Sequence, residues 1–357
     1  MRVFPSLVLS LVLVGCGNRE PVAPKAPPSP AASASASAPP APTAPPPPND
    51  APVTTPTAQA PKEEEAKVAT ESAPTVKVTE SGAAPRKALR YKFKVGVTEY
   101  AEMDMKMSLA MTMAEKVAPK TDLPTVRTTM RIDAVELTPE GDLRCTFKAE
   151  KVDLLKDVKM EAKLREGLEK ELGGLVGMHG RARISSRGVA TETTFELPPG
   201  ASPGLNAQMD VMRDAVRQMY VPFPEEEVGK GAKWDVTSRL PVNGALVDTK
   251  LAYALTKVDA DAAHADVELS LLAPPNQPMR FGALPGATAT LESLVGKGSG
   301  KVSPSLSRLV STGSNKIVIE SSFNVVTKTG QQILMKMQSD VAVSARPVAA
   351  PSRARRP

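Results

Sequence analysis

From Met103 to Met113 the chain alternates without a break. Met103, Met105, Met107, Leu109, Met111 and Met113 take one side, and Asp104, Lys106, Ser108, Ala110 and Thr112 take the other. An extended strand, whose successive side chains point to opposite faces, gathers such a set on one surface, whereas a helix would scatter it around its circumference. The run also exceeds the usual strand length of about five or six residues. Strands this long belong to large, curved antiparallel sheets with one wet face. The apolar side must then be buried, either in a core or against something the protein binds.

The same period continues along the chain. Leu89, Tyr91, Phe93 and Val95 alternate with Arg90, Lys92 and Lys94, which predicts a half-buried strand at the start of the ordered part. Residues 130–137 and 143–152 flank the turn Thr138-Pro139-Glu140-Gly141-Asp142, a hairpin signature. A second hairpin is expected from residues 181–186 and 189–197 around Arg187-Gly188. Further strands are expected at 234–240, 249–258, 265–272, 298–302, 307–310, 316–326 and 332–343. Two amphipathic helices interrupt them. One covers residues 157–172, with Val158, Ala162, Leu168, Leu172 and Leu175 on its apolar side and Gly173-Gly174 as its stop. The other covers 205–219, with Leu205, Met209, Met212, Val216 and Met219 at helical spacing. The second half echoes the first in pattern, which reads either as a duplicated unit (87–222 and 223–346) or as one irregular β domain. The fold class is α+β and strand-dominated: long curved antiparallel sheet, half-barrel-like, with two helices.

Residues 17–86 are of another kind, mostly Pro, Ala, Ser and Thr with runs such as Pro45-Pro46-Pro47-Pro48. With almost no large apolar groups, nothing there offsets the entropy of ordering. Proline biases such a segment towards an extended tether at about 3.1 Å per residue. Before it stand Arg2, an apolar stretch from Val3 to Val14, and Leu13-Val14-Gly15-Cys16. This is a secretory signal over residues 1–15. Its apolar core is shorter than the roughly twenty residues a membrane span needs. The ending resembles the lipobox of bacterial lipoproteins, which implies lipidation of Cys16 and a partner that is the membrane itself. Gly17 and Asn18 lack the aspartate that retains such proteins at an inner membrane, which leans the expected location towards the outer membrane. Residues 347–357 are expected to be a disordered basic tail.

Composition removes several classes. With Cys16 lipidated, Cys145 is the one remaining thiol, so a disulfide scaffold is excluded. Cys145 alternates with Leu143 and Phe147 and reads as a small buried hydrophobe. Aromatic residues make up 3% of the chain and the net charge of +6 is scattered, which argues against a nucleic-acid partner. No cofactor is implied. His179 and His264 have no carboxylates or cysteines at zinc-ligand spacing and read as surface residues. A Ser-His-Asp arrangement stays open, because its members need not be adjacent, but no Gly-x-Ser-x-Gly elbow is present. Gly296-Lys297-Gly298-Ser299-Gly300-Lys301 fails the phosphate-loop spacing and reads as a flexible turn. Gly229 to Lys233 reads likewise, as the lead into the strand carrying Trp234, a core anchor.

Methionine is the distinctive enrichment. Met103, Met105 and Met107, with Met335 and Met337, resemble thioether clusters that hold the soft ion Cu(I). The same stripe suits a core or an apolar ligand groove equally well. As a groove it would comprise Met103, Met105, Met107, Leu109, Met111 and Met113, with Met209 and Met212 of the second helix.

Tyr91 to Gly96, the Met/polar strand, Gly231 to Trp234, and the long closing strands from Lys316 to Val343 together resemble uncharacterised bacterial lipoproteins of a domain-of-unknown-function family. That resemblance implies a tethered domain over about residues 86–346 and brings no activity. More distantly, long strands with two helices resemble LolA/LppX-type lipoprotein carriers, which implies a curved half-barrel over an apolar cavity. The reading is a non-enzymatic envelope lipoprotein that binds an apolar or amphipathic partner, a lipid or an acylated protein, or serves as a scaffold. A periplasmic hydrolase and Cu(I) handling are the alternatives.

Overall fold

The computed structural model describes residues 73–113, 116–201, 219–242, 244–279 and 288–351. The signal segment, Cys16, nearly all of the tether and residues 202–218, with Met209 and Met212, lie outside the described residues. The strands are β1 (Thr75–Glu80), β2 (Thr98–Met113), β3 (Lys116–Val117), β4 (Thr121–Leu137) and β5 (Leu143–Leu154). Helix α1 (Ala162–Gly173) follows, then β6 (His179–Ile184), β7 (Ala190–Glu196), β8 (Lys233–Val242), β9 (Ala245–Val258) and β10 (Ala263–Ala273). The chain closes with β11 (Gln277–Met279), β12 (Thr288–Ser303), β13 (Thr312–Val326) and β14 (Gln332–Val348). All pair in one antiparallel sheet in the order β1-β8-β9-β10-β12-β13-β14-β2-β4-β5-β6-β7, with β11 beside β12 and β3 beside β2. It is not closed into a barrel, since β1 and β7 remain as edges.

Two cores form on the inner face. The first takes Met130, Ile132, Phe147 and Ile184 from one flank, Trp234, Tyr253 and Val267 from the other, and Leu168 and Leu172 of α1. Between the flanks lies a plug of non-strand chain: Leu89, Tyr91 and Phe93, with Tyr220, Val221 and Phe223, and Leu306, Leu309 and Val310. Its aromatic rings run continuously, Tyr91 stacking on Phe93 at 5.3 Å and Trp234 on Tyr253 at 5.3 Å, with Phe223 6.3 Å from Trp234. The indole of Trp234 donates to the Pro222 carbonyl at 3.0 Å, satisfying the one polar atom it buries. Strands β12, β13 and β14 add almost nothing to this core, so the flanks wrap around the plug and the sheet is curved. The second core lies at the other end of the long strands, where Leu109, Met111, Val247, Leu291, Phe323, Met335 and Met337 meet.

Several expectations are corrected. In residues 89–95, Leu89, Tyr91 and Phe93 are buried as expected, but Val95 is 49% exposed and these residues form no strand. Their backbone bonds go elsewhere: Tyr91 N–H donates to Ser186 O and Lys92 N–H to Leu306 O, so the segment threads the core as a spine. Residues 307–310 are likewise loop, with Leu309 and Val310 packed into the plug. Order begins before residue 87, because β1, placed by sequence in the tether, pairs with β8 and sets Val76 opposite Val236 and Val78 opposite Trp234. It also runs past residue 346, with Val348 opposite Tyr100. Helix α1 starts at Ala162 and not near residue 157, because the Asp157 carboxylate accepts from the Thr125 N–H at 3.1 Å and from its hydroxyl at 2.5 Å. That helix stands alone among the described residues, and the strand blocks of the two halves do not establish a duplication.

Candidate functional site: an apolar inner face between two cores

Register puts the whole methionine stripe on the inner face. Met103, Met105, Met107, Leu109, Met111 and Met113 lie opposite Ala345, Val343, Val341, Ser339, Met337 and Met335 of β14. On the far side of β14, Val341 and Val343 face Ile317 and Asn315 of β13, and Ser339 faces Ile319. Burial divides the stripe. Leu109 and Met111 belong to the second core and Met113 packs against it. Met103, Met105 and Met107 are half-buried, as are Ile317, Ile319 and Val341, while Val343 is exposed. The part of the stripe that sequence offered as one groove is therefore a core at one end and an unsealed apolar face at the other. Its two methionine motifs do not meet: Met335 and Met337 pair with Met113 and Met111 inside the second core, not with Met103 to Met107.

Curvature comes from glycine. Gly296, Gly298 and Gly300, read from sequence as a turn, occupy three successive inner positions in the middle of β12. A Cβ on Gly298 would stand 2.5 Å from the Lys316 carbonyl oxygen, and one on Gly300 2.3 Å from that of Ser314. Any side chain there would push β13 away, so the bare backbone lets β12 and β13 approach and the sheet coil. The available signal was the spacing of two, which is a strand period and not a turn's.

The outer face is wet and charged. Arg127 grips Asp104 with two hydrogen bonds, Nε to Oδ1 at 2.7 Å and Nη2 to Oδ2 at 2.6 Å. The guanidinium holds the Asp104 carboxyl below its ordinary range. Glu102 sits beside them, 3.5 Å from Arg127 Nε and paired with Arg346. These pairs lock β2 to β4 on one side and to β14 on the other, which fixes the inner-face register.

The histidines part company. His179 is exposed beside Glu196. His264, at the start of β10, is hydrogen-bonded on both ring nitrogens, Nδ1 to Ser303 Oγ at 2.8 Å and Nε2 to Asp259 Oδ2 at 2.9 Å. With Nε2–H donating to the carboxylate, Nδ1 accepts the serine proton. This is the hydrogen-bond order of a serine–histidine–acid triad with the ring nitrogens exchanged. Lys257 shares the acid, its Nζ 2.7 Å from Asp259 Oδ1. The sequence separation of these three residues hid the arrangement, and the only local hint was the proximity of Asp259 to His264. Burial pushes the Cys145 thiol up to about 12, leaving it inert. Among the described residues no group of three His, Cys, Asp or Glu side chains is placed to hold a metal ion. Nor is any described helix long and apolar enough to cross a membrane.

No family model matches the chain, and no curated protein does. Among solved structures it is similar to OmpT, an in-vitro folded outer membrane protein of Vibrio cholerae in its trimer form. The likeness is 7% identity over 71% of this chain and 100% of that one, with a TM-score of 0.15. At that level it carries no argument about fold or function.

Proposed function

We propose that this protein is an envelope lipoprotein, held to a membrane through Cys16, whose curved sheet binds a lipid acyl chain along its inner face. The observation that carries the reading is the contrast within that face. Six apolar side chains, Met103, Met105, Met107, Ile317, Ile319 and Val341, stay half-buried between two sealed cores. A surface of that kind is costly to leave against water and marks an interaction site. Methionine suits it, since its flexible thioether adapts to ligands of varied shape. An antiparallel sheet left open at both edges supports the reading, and a tether from Cys16 would give it reach from the bilayer. Native mass spectrometry of the full chain, extracted gently from membranes, tests it directly. Bound lipid released on denaturation is the expected result, and a ligand-free protein that binds no apolar dye would end the proposal.

A second reading has its own observation, the Ser303–His264–Asp259 chain. On that reading the protein is a hydrolase with Ser303 as nucleophile and His264 as base. A fluorophosphonate probe should then label the wild type and not the Ser303→Ala variant. Absence of labelling in both removes the reading and leaves the three residues as a tie between the β9–β10 turn and the end of β12.

A further inference from the structure

Two serines stand where the half-buried inner face meets the second core. Ser321 on β13 and Ser339 on β14 are 6% and 2% exposed. Among the described residues neither hydroxyl has a hydrogen-bond partner. Their surroundings are apolar in every direction within the sheet. Ser321 lies opposite Leu294 and Met337, and Ser339 opposite Ile319 and Leu109. Along their own strands, Ile319 and Phe323 flank the first on the same face, and Met337 and Val341 the second. Because Met337 is directly opposite Ser321, Ser339 is its diagonal neighbour, at a separation of about 7–8 Å. Buried polar groups are nearly always paired, and two adjacent orphans on an apolar surface ask for a partner from outside the chain.

Resting on the acyl-binding reading above, we propose that Ser321 and Ser339 form the polar seat for the ester group of a fatty acyl chain. Its hydrocarbon lies along Met103, Met105, Met107, Ile317 and Val341. Both hydroxyls donate, and the two ester oxygens accept. From Ser339 to Ala345 the inner face runs six residues along β14, about 20 Å at the usual strand rise of about 3.3 Å, the length of a long acyl chain. Among the described residues no cation neighbours either serine in the sheet, so a free carboxylate would lose its hydration with no charge to replace it. The seat therefore selects a neutral ester over a free fatty acid, and over a plain alkane that leaves the hydroxyls unpaired.

The test uses the full chain, purified and delipidated, with a fluorescent apolar dye displaced by methyl palmitate, by palmitate at pH 8, and by heptadecane. Methyl palmitate should win over the other two by on the order of tenfold for each hydrogen bond formed. Ser321→Ala and Ser339→Ala should each reduce that preference by on the order of tenfold and leave heptadecane binding unchanged. Both variants should also raise the thermal midpoint of the ligand-free protein, since each removes an unpaired buried polar group. A hydroxyl with a structural partner would lower it, and that result overturns the seat. Displacement by all three probes alike also overturns the seat but leaves the acyl groove standing. Displacement by none overturns the acyl reading and the seat with it.

Discussion

Truncating Met111 and Met107 in turn separates a core from a groove on one strand. Both lie on the inner face of β2, but Met111 is 6% exposed against Met337, while Met107 is half-buried opposite Val341. Methionine to alanine removes three heavy atoms. At about 0.8 kcal/mol for each methylene-sized group this is about 2.5 kcal/mol when all are buried. The cavity left behind raises the expected cost of Met111→Ala to about 3 kcal/mol. At Met107 the group is already partly in water and no sealed cavity forms, so about 1 kcal/mol is expected. Lys106→Gln, on the wet face next door, should stay within about 0.5 kcal/mol. Urea unfolding supplies the values, read from midpoints at unchanged slope. The same variants are then titrated with the apolar dye, where Met107→Ala should weaken binding and Met111→Ala should not. Equal stability losses at Met107 and Met111 would mean that the face is a closed core, and the groove would be refuted. Equal losses at Lys106 and Met107 would refute the two-faced strand itself.

Three further outcomes are expected. Cys145, buried with its thiol pushed up to about 12, should resist thiol reagents at pH 8 and react only as fast as the domain unfolds; rapid labelling of the folded protein would show that the first core opens. Arg127 depresses the Asp104 carboxyl, so their pair contributes fully above the unfolded value of 3.8 and is lost as pH falls through the lower folded value. The stability gap between wild type and Asp104→Asn should accordingly be present at pH 6 and close under strong acid. A gap that widens on acidification would contradict the assignment. Cys16→Ser should leave the protein unprocessed or free of membranes, and a variant that still sediments with membranes at high salt and alkaline pH would show another anchor.

Much of the architecture was legible because a strand's pattern is local. The alternation around Met103 predicted β2, the Thr138 to Asp142 turn predicted the β4–β5 hairpin, and Arg187-Gly188 predicted the β6–β7 hairpin. The candidate site was legible only in part. Met103, Met105 and Met107 form one stripe in sequence with Leu109 and Met111, and nothing in their spacing tells which end is sealed. Ile317, Ile319 and Val341 were visible as strand residues but not as one surface with the methionines, because β2 lies some two hundred residues away in the chain. Nothing in the sequence marks Ser321 and Ser339, since a serine's burial depends on what faces it.

The sequence alone determined the period of each segment, the two faces of each strand, the apolar character of the stripe and the Pro-rich composition of the segment read as a tether. Those properties follow from neighbours one to four residues apart. Tertiary structure decided that Leu89 to Phe93 is a buried spine without a ladder, that the glycines of β12 bend a sheet instead of turning a chain, and that His264 meets Ser303 and Asp259. It also decided which methionines are core and which remain partly open. Each of these depends on pairings between distant segments. Backbone hydrogen bonding and burial are satisfied over the whole sheet, so alternation along one strand carries no record of what lies beside it.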